Sequence, residues 1–146
     1  MENMINGMIT EEEKALADNS IDMALEAGAS AVQVTLDKAK TEIIALLDGE
    51  IDNIRQTGDR ALTFKVFADG KYGVFSTNRL EAESVRELLK MAVENVRLLA
   101  PDKFRRLPDK EETAKDAIRG DEMELCWDGY DSVTAEQRLD MARRVS

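Results

Sequence analysis

One thiol and no imidazole limit what this chain can do by itself. Cys126 stands beside Trp127, and none of the 146 residues is histidine. Without histidine, Ser-His-Asp and Cys-His catalysis and every His-ligated metal site are excluded for this chain alone. A base for Cys126 would have to be a lysine or the terminal amine. A free cysteine ordinarily behaves as a small buried hydrophobe, so a core or interface role is expected. A single cysteine also excludes an internal disulfide and any multi-cysteine metal site, which fits a reducing compartment.

Four other features invite a chemical reading. Asp121, Glu122, Glu124 and Asp128 offer oxygen ligands for a hard cation, but the spacing of a calcium loop is missing, and a solvated acidic loop is expected. Asp69-Gly70-Lys71-Tyr72-Gly73 has the glycines and lysine of a phosphate loop. That loop needs a strand before it and a helix after it, whereas here strand pattern lies on both sides, so a hairpin is expected. Arg60 precedes an apolar alternating strand and reads as an exposed strand-end charge. Trp127 and Tyr130, in a polar stretch, read as interface anchors or plugs at a sheet edge. With thirty acidic residues, carboxylate pairs carry no signal of acid–base work. No catalytic, cofactor-binding or metal-binding residue is assigned.

Composition narrows the class further. The chain is 43% hydrophobic and 34% charged, enough for one ordinary core. Twenty basic against thirty acidic residues leave a net charge of −10. Such a surface repels phosphate backbones, so no direct nucleic-acid partner is expected. No apolar run approaches the roughly 18 residues of a membrane span, and residues 1–15 lack a signal-peptide core. A cytoplasmic location is expected.

The elements follow from period and caps. Thr10-x-x-Glu13 is a capping box opening a helix over 11–27, with Gly28 as its stop. Val32-Val34-Leu36, Ile43–Leu47, Ile51–Thr57, Leu62-Phe64-Val66 and Tyr72-Val74-Ser76 read as strands. Asp48-Gly49 and Asp69-Gly70 are type I′ turn sequences, and Gly58-Asp59 suits type II′. Asn78-x-x-Glu81 is a second capping box, opening a helix over 80–100 that carries the apolar stripe Val85, Leu88, Leu89, Ala92, Val96 and Leu99 and ends before Pro101. A short strand is expected at Met123–Trp127. Thr134-x-x-Gln137 caps a last helix through Ser146 that lacks a stop signal, so a longer parent protein is expected.

These elements predict an α+β fold: an antiparallel meander of about four to five strands with two long helices packed on one face, an irregular C-terminal extension and a final helix. The expected organisation is a flexible N-terminus over 1–10, an α+β domain over 11–100, an irregular acidic segment over 101–133 and the start of a helix over 134–146.

The order of the turns carries a resemblance. Gly28-Ala29, Asp48-Gly49-Glu50-Ile51, Gly58-Asp59-Arg60-Ala61-Leu62 and Asp69-Gly70-Lys71-Tyr72-Gly73-Val74-Phe75-Ser76-Thr77-Asn78 succeed one another as in the N-terminal domain of the TldD/PmbA family, once labelled modulators of DNA gyrase. Pro101-Asp102, Leu107-Pro108-Asp109, Met123-Glu124-Leu125 and Thr134-Ala135-Glu136 are most similar to the PmbA (TldE) branch. The match runs over about residues 11–146. Position 60 is Arg, whereas the family's arginine falls slightly later, where this chain has Leu62 to Lys65. No Arg-based role is carried over.

The resemblance implies a zinc metallopeptidase assembled from paired TldD-like and PmbA-like subunits, a heterodimer. Its zinc helix, His-Glu-x-x-x-His, lies in the C-terminal domain of the TldD-like partner. Nothing in this sequence matches that motif, so no cofactor is expected in this chain and zinc is implied for the partner. The expected function is therefore architectural: the N-terminal, non-catalytic domain of a PmbA/TldE-like subunit, guiding unfolded peptide substrate in proteolysis or peptide maturation. The alternative is a free-standing acidic interaction module or adaptor.

Overall fold

The structure is a computed structural model that describes residues 9–113, 129 and 132–145. Its elements are α1 (Glu11–Glu26), β1 (Ala31–Leu47), β2 (Glu50–Ala68), β3 (Lys71–Thr77), α2 (Ala82–Leu98), a 3₁₀ turn (Lys110–Glu112) and α3 (Ala135–Val145). The strands form one antiparallel sheet in the order β1-β2-β3. β3 pairs with the second half of β2, from Leu62 opposite Thr77 to Ala68 opposite Lys71. The α+β class is as expected. Among the described residues, the four to five strands with two long helices are replaced by three strands and three helices.

The strand count is corrected for a local reason. Gly58-Asp59 does not turn: neither residue has a positive φ, and β2 runs through both for 19 residues. Val32–Leu36 and Ile43–Leu47 likewise belong to one strand of 17 residues. The polar stretch between them carries the same backbone donors and acceptors as its neighbours, and ladder bonding needs no apolar side chain. The true turns are the two Asp-Gly pairs, where Asp48 and Gly49 have φ of 52° and 79° and Asp69 and Gly70 have 53° and 69°. Both central residues of a type I′ turn require this sign.

The chain divides into two units. The larger contains residues 9–38 and 60–113 among those described. Its core is built by alternation on β2, where Leu62, Phe64, Val66 and Ala68 are fully buried. They meet Val85, Leu89, Ala92, Val93 and Val96 of α2 and Leu16 and Ala24 of α1, with Val32, Val34 and Leu36 of β1 packed at the margin. α2 lies on β3 and beside α1. Its approach to β3 is close enough that a Cβ on Gly73 would stand 2.8 Å from Val96 Cγ2.

The helix starts differ in how they are held. Glu13 N–H donates to Thr10 Oγ1 at 3.2 Å, while Thr10 N–H donates to Glu13 Oε2 at 2.9 Å, so the expected capping box is formed. The box expected at Asn78 is not. The residue before α2 is Glu81, whose side chain makes no capping bond, and Thr77 Oγ1 instead accepts from Arg79 N–H at 3.0 Å. That local turn holds the chain extended past Asn78, and helix starts only at Ala82. The C-terminal end of α2 is tied down by Arg97, which donates to the Gly28 carbonyl at 3.2 Å and pairs with Asp69 at 3.3 Å.

The smaller unit contains residues 39–59, 129 and 132–145 among those described. It comprises the turn-forming halves of β1 and β2 together with α3. Residues 50–59 of β2 are all exposed, Ile51 and Ile54 among them. Two strands alone are marginal in water, and α3 supports this pair through an ion pair from Arg138 to Glu42. α3 opens on the expected box, with Gln137 N–H donating to Thr134 Oγ1 at 3.2 Å and Thr134 N–H to Gln137 Oε1 at 2.9 Å.

Candidate functional site

The first turn of α1, the middle of the sheet and the start of α2 enclose a groove in the larger unit. Its volume is about 760 Å³, within the range of small-ligand sites. Glu13 forms its floor. The capping box fixes that side chain, because Oε2 must stay within reach of Thr10 N–H. Lys38 of β1 then donates from Nζ to Oε1 and Oε2, both at 3.0 Å. Arg60 of β2 brings Nη1 to 4.0 Å from Oε1. Leu16 and Leu80 supply apolar wall, and Glu12 and Glu81 stand on the exposed rim.

The electrostatics follow from the hydrogen bonds. Thr10 N–H, then Lys38, holds the Glu13 carboxyl below its ordinary value, against the opposing effect of burial. Glu13 is therefore an anion at neutral pH with its lone pairs largely engaged. Two positive charges face this one anchored negative charge. Lys38 is used by Glu13, whereas the Arg60 side chain makes no hydrogen bond among the described residues and is 51% exposed. The arrangement has no nucleophile–base pair. What it offers is a guanidinium fork held beside an apolar wall.

The sequence places Arg60 at a strand end. It lies inside β2, and inward alternation from Leu62 turns it toward α1. Lys71, from the phosphate-loop reading, follows the β2–β3 turn and donates to the Arg97 carbonyl, so the hairpin reading holds. Cys126, Trp127 and Tyr130, the acidic group Asp121, Glu122, Glu124 and Asp128, and the strand expected at Met123–Trp127 lie outside the described residues. From the sequence alone Glu13 is only a helix cap and Lys38 has no assigned role. A signal was available: Lys38 continues the inward series Val32, Val34, Leu36, where a charge needs a partner.

The chemistry of zinc asks for three or four nitrogen, sulfur or carboxylate donors. The chain has no histidine, and among the described residues no three Cys, Asp or Glu side chains are grouped to hold a metal. The described residues do not fit that ion. No helix among the described residues is long and apolar enough to cross a membrane.

Fold and site together define a helix-backed antiparallel sheet domain with a charged groove and no metal centre of its own among the described residues. Residues 33–96 match the family model of PmbA/TldA metallopeptidase domain 1, and over this stretch the chain is similar to a first domain of that family. A Bacteroides thetaiotaomicron protein described as a modulator of DNA gyrase superposes with a TM-score of 0.78 at 29% identity, covering 94% of this chain and 31% of that one. TldE from Thermococcus kodakarensis superposes with a TM-score of 0.62 at 16% identity, covering 90% of this chain and 30% of that one, a likeness of fold. The chain thus spans about a third of the length of these solved relatives. No curated protein matches it.

Proposed function

We propose that this chain is the N-terminal, non-catalytic domain of a PmbA/TldE-like subunit in a TldD/TldE-type zinc-dependent peptidase. The carrying observation is the first-domain match over residues 33–96, in a chain without a histidine to offer zinc. Its task is architectural: it pairs with a cytoplasmic TldD-like subunit, which brings the zinc, and helps wall the chamber that admits unfolded peptide. The Thermococcus TldE shares this fold, and the TldE branch itself is proposed from the motifs Pro101-Asp102 and Leu107-Pro108-Asp109. The net charge of −10 argues against a nucleic-acid partner, so the gyrase description stays with the Bacteroides protein.

The test is capture. A tagged full-length parent is expected to co-purify with a TldD-like protein at a fixed ratio, with zinc-dependent peptide hydrolysis in the complex and no zinc on this chain. Failure to capture such a subunit, or zinc-dependent hydrolysis by this chain alone, overturns the proposal. An acidic adaptor would instead be recovered with basic proteins and no peptidase.

A further inference from the structure

Among the described residues, the Arg60 side chain is ion-paired with Glu13 but makes no hydrogen bond. We infer that the groove between α1, β2 and the start of α2 binds a carboxylate carried by a peptide, with Arg60 as the recognising group.

Three observations converge on this. The groove, at about 760 Å³, has room for a few peptide atoms beyond the carboxylate. Glu12, Glu13 and Glu81 outnumber Lys38 and Arg60 in the lining, but both oxygens of Glu13 already accept from Lys38, which leaves the Arg60 guanidinium without a side-chain hydrogen bond among the described residues. A guanidinium is a planar fork that matches a carboxylate with two parallel hydrogen bonds. Here it is close enough to Glu13 for attraction but too far for a hydrogen bond. Ala82 lies in the lining at the start of α2, where no side chain caps the first amides and Glu81 and Glu83 offset their partial positive charge.

Glu13 and Lys38 are positioning residues in this arrangement. Their bond fills the floor, and it keeps the carboxylate of Glu13 from folding over Arg60. Leu16 and Leu80 give an apolar side chain of the ligand a wall. Glu12 and Glu81 on the rim repel a second acidic group, which favours a ligand with one carboxylate over an acidic run.

This inference deepens the substrate-guiding reading and rests on it only for the ligand being a peptide. The carboxylate has two sources, a chain terminus or an acidic side chain. N-acetyl-Leu-Ala as free acid, N-acetyl-Leu-Ala-amide and N-acetyl-Glu-amide are titrated into the ¹⁵N-labelled 146-residue chain and followed by NMR. Shifts at Arg60, Lys38 and Leu80–Ala82 are expected with a carboxylate-bearing ligand, at millimolar affinity, and the amide control is expected to bind about tenfold more weakly or not at all.

The terminal source is assigned if the free acid alone binds, the side-chain source if the glutamate derivative does. Arg60→Gln is expected to weaken either by about tenfold, with Arg60→Lys between. Equal binding of acid and amide, shifts away from the groove, unchanged affinity in a folded Arg60→Gln chain, or no binding overturns the inference. The acid–amide comparison needs no variant, so it decides even if Arg60→Gln does not fold. Partner capture by the parent is read separately: a silent groove with capture intact removes this site and leaves the architectural role.

Discussion

Lys38 Nζ lies 3.0 Å from each carboxylate oxygen of Glu13, joining β1 to the first turn of α1 across 25 residues of chain. One glutamate therefore serves two structures. It closes the helix cap with Thr10, and it receives the cation that the inward face of β1 carries at its polar end. The second bond holds α1 at a fixed place on the sheet, which is what leaves a groove beside Arg60.

Removing Glu13 is expected to cost more than removing Lys38. Glu13→Ala loses the reciprocal half of the capping box and leaves Lys38 without its acceptor, for a total of about 1–2 kcal/mol. Lys38→Met loses a part-buried ion pair and is expected to cost about 1 kcal/mol. Urea unfolding of the two single variants and the double variant measures the coupling. A coupling of zero would show the ion pair to be idle in solution.

Stability is expected to fall in acid through the same residue. The folded chain holds the Glu13 carboxyl below its ordinary value of 4.5, first through Thr10 N–H and then through Lys38. A lowered folded value means that the unfolded chain takes up the proton first. The stabilising contribution is thus complete well above 4.5 and is withdrawn as the pH falls below it through the folded value. The melting temperature of the wild type, followed downward from neutral pH, is expected to drop more steeply in this window than that of Glu13→Gln. Parallel curves would contradict the assignment.

Two glycines that look alike in the sequence are expected to behave in opposite ways. At Gly73 a new Cβ would meet Val96 Cγ2 at 2.8 Å and Phe75 Cε2 at 2.9 Å, so Gly73→Ala is expected to cost about 1–3 kcal/mol. At Gly58 a Cβ would meet nothing within 4 Å, and no positive φ is required. Gly58→Thr is expected to be neutral or to stabilise by up to about 1 kcal/mol, because a β-branched residue suits a continuous strand. Thermal melts of both variants distinguish a straight β2 from one that turns at position 58.

Local chemistry alone determined the caps at Thr10 and Thr134, the two Asp-Gly turns, the alternation of Leu62, Phe64 and Val66 and the apolar stripe of α2. Each depends on residues within a few positions of one another, and a short window contains the whole cause. The order of these elements, with its turns, was also enough for the resemblance to the TldD/PmbA family, and the absence of histidine excluded His-ligated zinc for this chain. Tertiary structure decided what short windows leave degenerate. Gly58-Asp59 suits a turn or an extended strand equally, and pairing along β2 chose the strand. Asn78 could cap a helix, but the turn at Thr77 and the packing of Leu80 carried the chain past it. The groove belongs wholly to this second class, since Glu13, Lys38 and Arg60 come from three elements, and only the layering of helix on sheet brings their charges within reach of one another.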